Sequence, residues 1–237
     1  MMMNAVLVSI EGNIGAGKST LLRRIEAIPG VIVAQEPVDL WCAPVLPGGK
    51  SMLDAYYADR KANALAFQMY AMLTRHRQHA ALSRQVAEVA ATMQHQHGPV
   101  VVVTERCSGS DFALFGRPMR DAGLFNDAEW HAYSSWHDAM TEVSLEQGHL
   151  RASGVAYLRI DTAVCAERVA ARARRAEAEG ADRVDRAYLD MLHGAHEDYV
   201  GSGCDGVPSL VVTDNADADA ERIVRWARTL MRADAST

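Results

Sequence analysis

The sequence has no apolar run near the roughly 18 residues that a membrane-spanning helix needs, although 49% of its 237 residues are hydrophobic. A spanning helix is therefore not expected, and the chain is long enough to bury a full core. A basic excess is missing too. Lys and Arg number 24 against 30 Asp and Glu, for a net charge of −6. Nucleic acid is not an expected partner, because its binders present a basic footprint. Cysteines are few and scattered: Cys42, Cys107, Cys165 and Cys204 form no CxxC pair. Neither a zinc site nor a disulfide framework is expected, and the thiols are read as reduced. The opening MMMNAVLVSI lacks the basic segment and cleavage site of a secretory signal, and a motif starting at Gly12 leaves no room for a transit segment. The expected location is the cytoplasm, with the nucleus open to it. Repeats, low-complexity tracts and composition shifts are absent, so one domain over residues 1–237 is expected.

What is present is a series of short apolar runs. AVLVSI (5–10), VIVAQ (31–35), VVVVT (100–104), VAYLRI (155–160) and SLVVT (209–213) read as buried strands. Helical spacing covers 18–28, a long region after the loop 42–50 with a break near Asp59, then 107–121, 126–147, 162–176, 184–200 and 217–232. Strands alternating with helices predict an α/β fold, a five-stranded parallel sheet flanked by helices. Ligands of such sheets bind beyond the carboxyl ends of the strands.

GNIGAGKS (12–19) satisfies GxxxxGK[ST] in full, with a strand before it and a helix after it. Glycines let the backbone curl so that N–H groups of Gly12, Asn13, Ile14, Gly15, Ala16, Gly17, Lys18, Ser19 and Thr20 can face phosphate oxygens, helped by the helix N-terminus. Lys18 is placed to reach the β/γ-phosphates and Ser19 to hold Mg²⁺. The chain thus binds ATP or a related triphosphate, and the question is what receives the phosphoryl group. No NKxD signature of a regulatory GTPase occurs, and VVVV runs into Thr-Glu-Arg rather than the acidic pair of a motor ATPase.

A small-molecule kinase needs a base on the acceptor hydroxyl, cations against the moving phosphoryl group, and a lid that keeps water out. Glu36 ends the second strand beside Pro37 and is a candidate base. Arg168, Arg172 and Arg175 share a helix face in RVAARARRAE (168–177), with Arg174 off it, ahead of a polar loop. An Arg-rich lid over about 168–183 is expected. Gln68, Ala71 and Arg75 fall on one face of the long helix, a small residue between two polar ones, leaving room for a flat ring.

Taken in order, IEGNIGAGKST, EPVDLW, YYADRKANALAFQMYAMLTR, ERCSGSD, AEWHAYSSWHD, YLRIDTAVCAERVAARARRAEAEG and YLDMLHGAHEDY resemble the deoxynucleoside kinase family, in its deoxycytidine and deoxyguanosine kinase branch. The resemblance covers nearly the whole chain. It implies a P-loop kinase fold, a homodimer, and transfer of the ATP γ-phosphoryl group to the 5′-hydroxyl of a deoxynucleoside. It implies that Glu36 is the general base, that Arg106 binds near the 5′-hydroxyl and incoming phosphoryl group, and that Glu105 helps hold Mg²⁺. Arg168, Arg172 and Arg174 match the lid arginines, Tyr57 and Glu177 the pair that grips the sugar 3′-hydroxyl, and Gln68 the amide that reads the base. Trp41, Phe67 and Phe115 match pocket aromatics, and Asp111 matches the partner of Arg75. An Arg–Asp pair goes with cytosine and purine bases rather than thymine, so deoxycytidine and purine deoxynucleosides are the expected substrates. Gly109 stands where the branch more often carries a large aromatic, which predicts a more open pocket wall.

Two alternatives stay open at this level: a nucleoside monophosphate kinase of thymidylate kinase type, and a non-catalytic kinase-like subunit. His193 and His196 read as surface or core polarity rather than as a metal site. Trp130, Tyr133 and His137 form a stripe expected in the core or a dimer interface, and Asn215 is expected near the adenine.

Overall fold

The computed structural model describes residues 5–92, 100–172, 184–213 and 216–234. Five parallel strands form one sheet in the order β2-β3-β1-β4-β5, with β1 at Ala5–Glu11, β2 at Val31–Ala34, β3 at Val100–Glu105, β4 at Ala152–Leu158 and β5 at Ser209–Val212. All five expected strands are present, displaced by three residues at most. β1 lies in the centre, and its residues point alternately to the two faces. Val6, Val8 and Ile10 pack with Val101 and Val103 against Leu21, Leu22 and Ile25 of α1 (Lys18–Glu26) and Ile223, Val224 and Ala227 of the last helix, α10 (Ala216–Asp234). On the other face Leu7, Val100 and Val102 meet Leu82 and Val86 of α4 (Arg60–Thr92). Gly154 in β4 lets α10 approach, since a Cβ there would lie 2.7 Å from Trp226 and 2.8 Å from Leu230.

Register decides what meets at the top of the sheet. Ile10 stands opposite Glu105, and Ala34 opposite Thr104. Glu11, Glu36, Glu105 and Arg106 therefore emerge together at the carboxyl ends of three adjacent strands.

The expected break at Asp59 divides α3 (Met52–Ala58) from α4. Ser51 and Asp54 cap α3 reciprocally, and the Asp59 carboxylate then accepts the Ala62 N–H to start α4. Along α4 the buried residues Ala64, Phe67, Gln68, Ala71, Met72, Arg75, His79, Leu82 and Val86 form one stripe. That stripe runs from Phe67, packed with Trp41 and Tyr56, down to Leu82 and Val86 against the sheet.

Two local features were not expected. Residues Val38–Cys42 form a short helix, α2, which turns Trp41 inward. The single helix expected over 107–121 is α5 (Ser108–Asp111) and α6 (Arg117–Asp121) joined by a widened π-turn at Phe112–Gly116. The turn ends where Gly116 faces the Tyr133 ring of α7 (Asp127–Glu146); a Cβ would lie 2.5 Å from it. Tyr133 is fully buried, and Phe112 stacks on Trp130, Tyr133 and His137, so the α7 stripe belongs to an aromatic core. Two helices, α8 (Thr162–Arg172) and α9 (Arg186–Gly201), pack on each other, and α9 meets β4 where Tyr157 stacks on His196 and donates to Glu197. No helix among the described residues is long and apolar enough to cross a membrane.

Candidate active site

The loop between β1 and α1 closes tightly over α8. Gly15 has φ 80°, and a Cβ there would lie 2.4 Å from the Cys165 carbonyl oxygen, so only glycine fits. Asn13 anchors the loop by donating from Nδ2 to the Leu189 carbonyl at 2.8 Å and accepting the Ile14 N–H at 2.8 Å. Gly17, also left-handed at φ 103°, leads into α1, where Ser19 and Thr20 are exposed. Lys18 folds back over the loop, its Nζ donating to the Gly12 and Asn13 carbonyls at 3.1 Å each and lying 3.6 Å from Glu105. Burial, and then Arg106 beside it, push Lys18 down to about 8, against the pull of Glu105, Glu36 and Glu11.

Ser19 Oγ donates to Glu105 Oε2 at 3.2 Å. A hydroxyl and a carboxylate side by side at the phosphate loop suit an oxygen-seeking divalent cation such as Mg²⁺. Arg168 reaches across from α8, donating from Nη1 to the Ala16 carbonyl at 2.9 Å, while Arg172 lies exposed at the end of that helix. Arg174, Arg175 and Glu177, with the rest of the expected lid and Asn215, lie outside the described residues.

Glu36 is half-buried two residues past β2. Its Oε1 accepts from Arg75 Nη2 at 3.1 Å and lies 3.4 Å from Arg106 Nε. Burial would raise its pKa, but Arg75, Arg106 and Lys18 more than offset that and hold it below the usual carboxylate value.

Arg75 is buried, not solvated. It makes a fork with Asp111, from Nε to Oδ2 at 3.4 Å and from Nη2 to Oδ1 at 3.1 Å. Gln68 lies on the same stripe, two helical turns away; its Oε1 is buried and has no hydrogen-bond partner among the described residues, and neither has Arg75 Nη1. Trp41, Tyr56 and Phe67 wall this part of the cleft. Phe67 meets the Trp41 ring edge-on at 5.7 Å and stacks on Tyr56 at 4.7 Å. The Trp41 indole donates to Thr74 Oγ1 at 2.9 Å. Tyr57 is buried beside Tyr56, and Phe115 lies under the Arg106 guanidinium, 4.7 Å from ring centre to Cζ. Within the described part, Lys18, Ser19, Glu105, Arg106, Glu36, Arg75, Asp111, Trp41, Phe67 and Phe115 are thus brought together through a chain of contacts, while Thr20 and Arg172 are exposed. Gly109 faces Asp205, an added Cβ lying 3.7 Å from its Oδ2, and lines a cavity with Phe112, His137 and Tyr199 rather than with Gln68 and Arg75.

Sequence reasoning missed three groups. Glu11, fully buried at the end of β1, accepts from Arg106 Nη1 at 3.1 Å. His196, buried on α9, turns Nδ1 to the Leu192 carbonyl at 2.6 Å and Nε2 toward Arg106 at 3.5 Å; burial and Arg106 push it down to about 3. Thr74 is the partner of Trp41. The available signal for Glu11 was a charged residue closing an otherwise buried strand. His193 lies 3.5 Å from the Tyr157 hydroxyl, and among the described residues no three His, Cys, Asp or Glu side chains gather to hold an ion.

A model of the deoxynucleoside kinase family matches residues 8–232. The chain is 31% identical over 213 residues to the Fowlpox virus (strain NVSL) protein named "Probable deoxycytidine kinase", covering 89% of this chain and 79% of that one. It is 32% identical over 206 residues to deoxycytidine kinase 2 of Gallus gallus (81% and 73% of the two chains). It is 28% identical over 204 residues to the mitochondrial deoxyguanosine kinase of Xenopus laevis (81% and 72%). The phosphate loop, the parallel sheet and these matches agree: the chain belongs to the deoxynucleoside kinase family. It is accordingly an enzyme, a kinase of deoxynucleosides with ATP as phosphate donor, which decides against the monophosphate kinase and the idle subunit.

Proposed function

We propose that this kinase phosphorylates the 5′-hydroxyl of deoxycytidine and purine deoxynucleosides in preference to thymidine, with Glu36 as general base. The observation that carries the preference is the buried Arg75–Asp111 fork on the stripe of Gln68. Gln68 Oε1 and Arg75 Nη1 are an acceptor and a donor that a base edge would satisfy. A thymine 5-methyl group would instead press on charged side chains, and a polar site discriminates strongly against such a misfit.

Glu36 would accept the 5′-hydroxyl proton as that oxygen attacks the γ-phosphorus. Its lowered pKa keeps it ionised at neutral pH, and Arg106 beside it would orient the hydroxyl and offset charge on the moving phosphoryl group. Lys18 would bind the β/γ-phosphates, and Arg168, Arg172 and Arg174 would close on them from a lid over about 168–183. Tyr57 and Glu177 would hold the 3′-hydroxyl; Trp41, Phe67 and Phe115 would enclose the nucleoside. Mg²⁺ would be held by Ser19 and, through water, by Glu105, and would supply charge neutralisation on the phosphates. We read residues 1–237 as one kinase domain that acts in the cytoplasm or nucleus. We read the assembly as a homodimer, supported by Trp136 and Leu145, large apolar side chains that α7 leaves exposed.

The test is an ATP-dependent assay on deoxycytidine, deoxyadenosine, deoxyguanosine and thymidine, with Glu36→Gln alongside. Deoxycytidine or a purine nucleoside should give the highest kcat/KM, and Glu36→Gln should lower kcat by about 10²–10⁴-fold. Thymidine as the best substrate would overturn the preference. Near-normal turnover in Glu36→Gln would overturn the base.

A further inference from the structure

Glu11 precedes the phosphate-loop pattern and has no part in the scheme above, yet its carboxylate joins both ends of the cleft. Oε2 accepts from Arg106 Nη1 at 3.1 Å, and Oε1 accepts from Ser9 and Ser110 hydroxyls at 2.5 Å each. Arg106 needs such holding. Its backbone is left-handed at φ 64°, a conformation that a non-glycine residue keeps only when its surroundings over-determine it. The surroundings here are the Ile10 carbonyl on its N–H at 3.2 Å, the Gly12 carbonyl on Nη2 at 2.9 Å, the Phe115 ring, and Glu11. Of these, Glu11 alone brings an opposite charge to the Nη1 side, where His196 is neutral. Ser110 immediately precedes Asp111 on α5, so the same carboxylate that aims Arg106 also moors the segment carrying the partner of Arg75.

We propose that Glu11 is a positioning residue that aims the Arg106 guanidinium at Glu36 and ties it in register with the Asp111 segment, so that the phosphoryl end and the base end of the cleft are set together. The proposal rests on the roles of Arg106 and Glu36 given under Proposed function. Burial leaves the Glu11 pKa raised on balance, although the Arg106 charge and the Ser110 and Ser9 hydrogen bonds pull it down.

The experiment is a double-mutant cycle of wild type, Glu11→Gln, Arg106→Met and the double variant, reading kcat, KM for ATP and for deoxycytidine, and Tm. Glu11→Gln should lower kcat by about 10–100-fold, the scale of a misaimed catalytic group, with little change in KM for ATP. The double variant should be no slower than Arg106→Met alone. Multiplicative losses would overturn the proposal, because Glu11 would then act independently of Arg106. Normal kcat in Glu11→Gln beside an impaired Arg106→Met would overturn it too. Normal kcat in Arg106→Met would instead overturn the underlying role of Arg106. Ser110→Ala, which keeps the carboxylate and removes one donor, covers the case in which Glu11→Gln does not fold. It should lower kcat and shift the deoxycytidine-to-thymidine ratio together, and a variant unchanged in both would overturn the proposal.

Discussion

Lys18 and Arg75 are both buried cations in one cleft, yet their pKa values move in opposite directions. Burial and the like charge of Arg106 push Lys18 down to about 8. Burial opposes the charge of Arg75 as well, but Asp111 and Glu36 more than offset it and raise its pKa. The Lys18 ammonium has its carboxylate neighbour Glu105 at 3.6 Å and otherwise rests on carbonyl dipoles. The Arg75 guanidinium has two carboxylates at 3.1 Å. Lys18 therefore has no carboxylate in close contact, which suits a cation that meets an anion. Arg75 is already closely paired, which suits a site that reads the shape and hydrogen bonds of an uncharged ring.

That contrast can be tested by separating the two ends. Lys18→Ala should lower kcat by about 10²–10³-fold, as expected for loss of one charged donor to the transition state, while the affinity for deoxycytidine alone, by calorimetry without ATP, stays close to wild type. Equal loss of nucleoside affinity would erase the distinction between the ends. At the base end the contrast is between breaking a pair and replacing it. Asp111→Ala should cost about 3–5 kcal/mol by chemical denaturation, because it strands a buried charge, whereas Arg75→Met with Asp111→Ala should cost clearly less. The double variant should also shift relative kcat/KM from deoxycytidine toward thymidine by at least about tenfold. An unchanged ratio would remove the fork from base selection. The smallest effect is on pH dependence. Lys18 must be protonated to meet phosphate, so kcat/KM for ATP should decline as pH rises past about 8. In Lys18→Arg, whose guanidinium stays charged, that decline should disappear, and a decline that persists would assign it to another group.

The phosphate end was readable from eight consecutive residues, because Gly12 to Ser19 act through their own backbone and a neighbouring helix start. The five strands were readable because each is a short apolar run bounded by turn residues. The base end was visible only as spacing on one helix face; that Arg75 meets Asp111 came from family resemblance, and that it also meets Glu36 was not anticipated. Val38–Cys42 escaped notice because five residues are too few to show helical periodicity. His196 looked like ordinary polarity, since nothing in HGAHED tells which of its two histidines faces Arg106.

By itself the sequence determined the kind of chemistry and the class of fold. Both depend on local patterns: glycines that permit a curled loop, a lysine and serine at set offsets from it, and apolar runs alternating with helical stripes. Tertiary structure alone decided which charges neutralise one another. Glu11, Glu36, Glu105 and Arg106 come from three strands whose register brings their ends level, and Arg75 joins them from α4. Whether a buried charge is raised, lowered or satisfied depends on distances of a few ångströms between residues far apart in the chain, and Coulomb interactions in a desolvated cleft are steep enough to make that decisive.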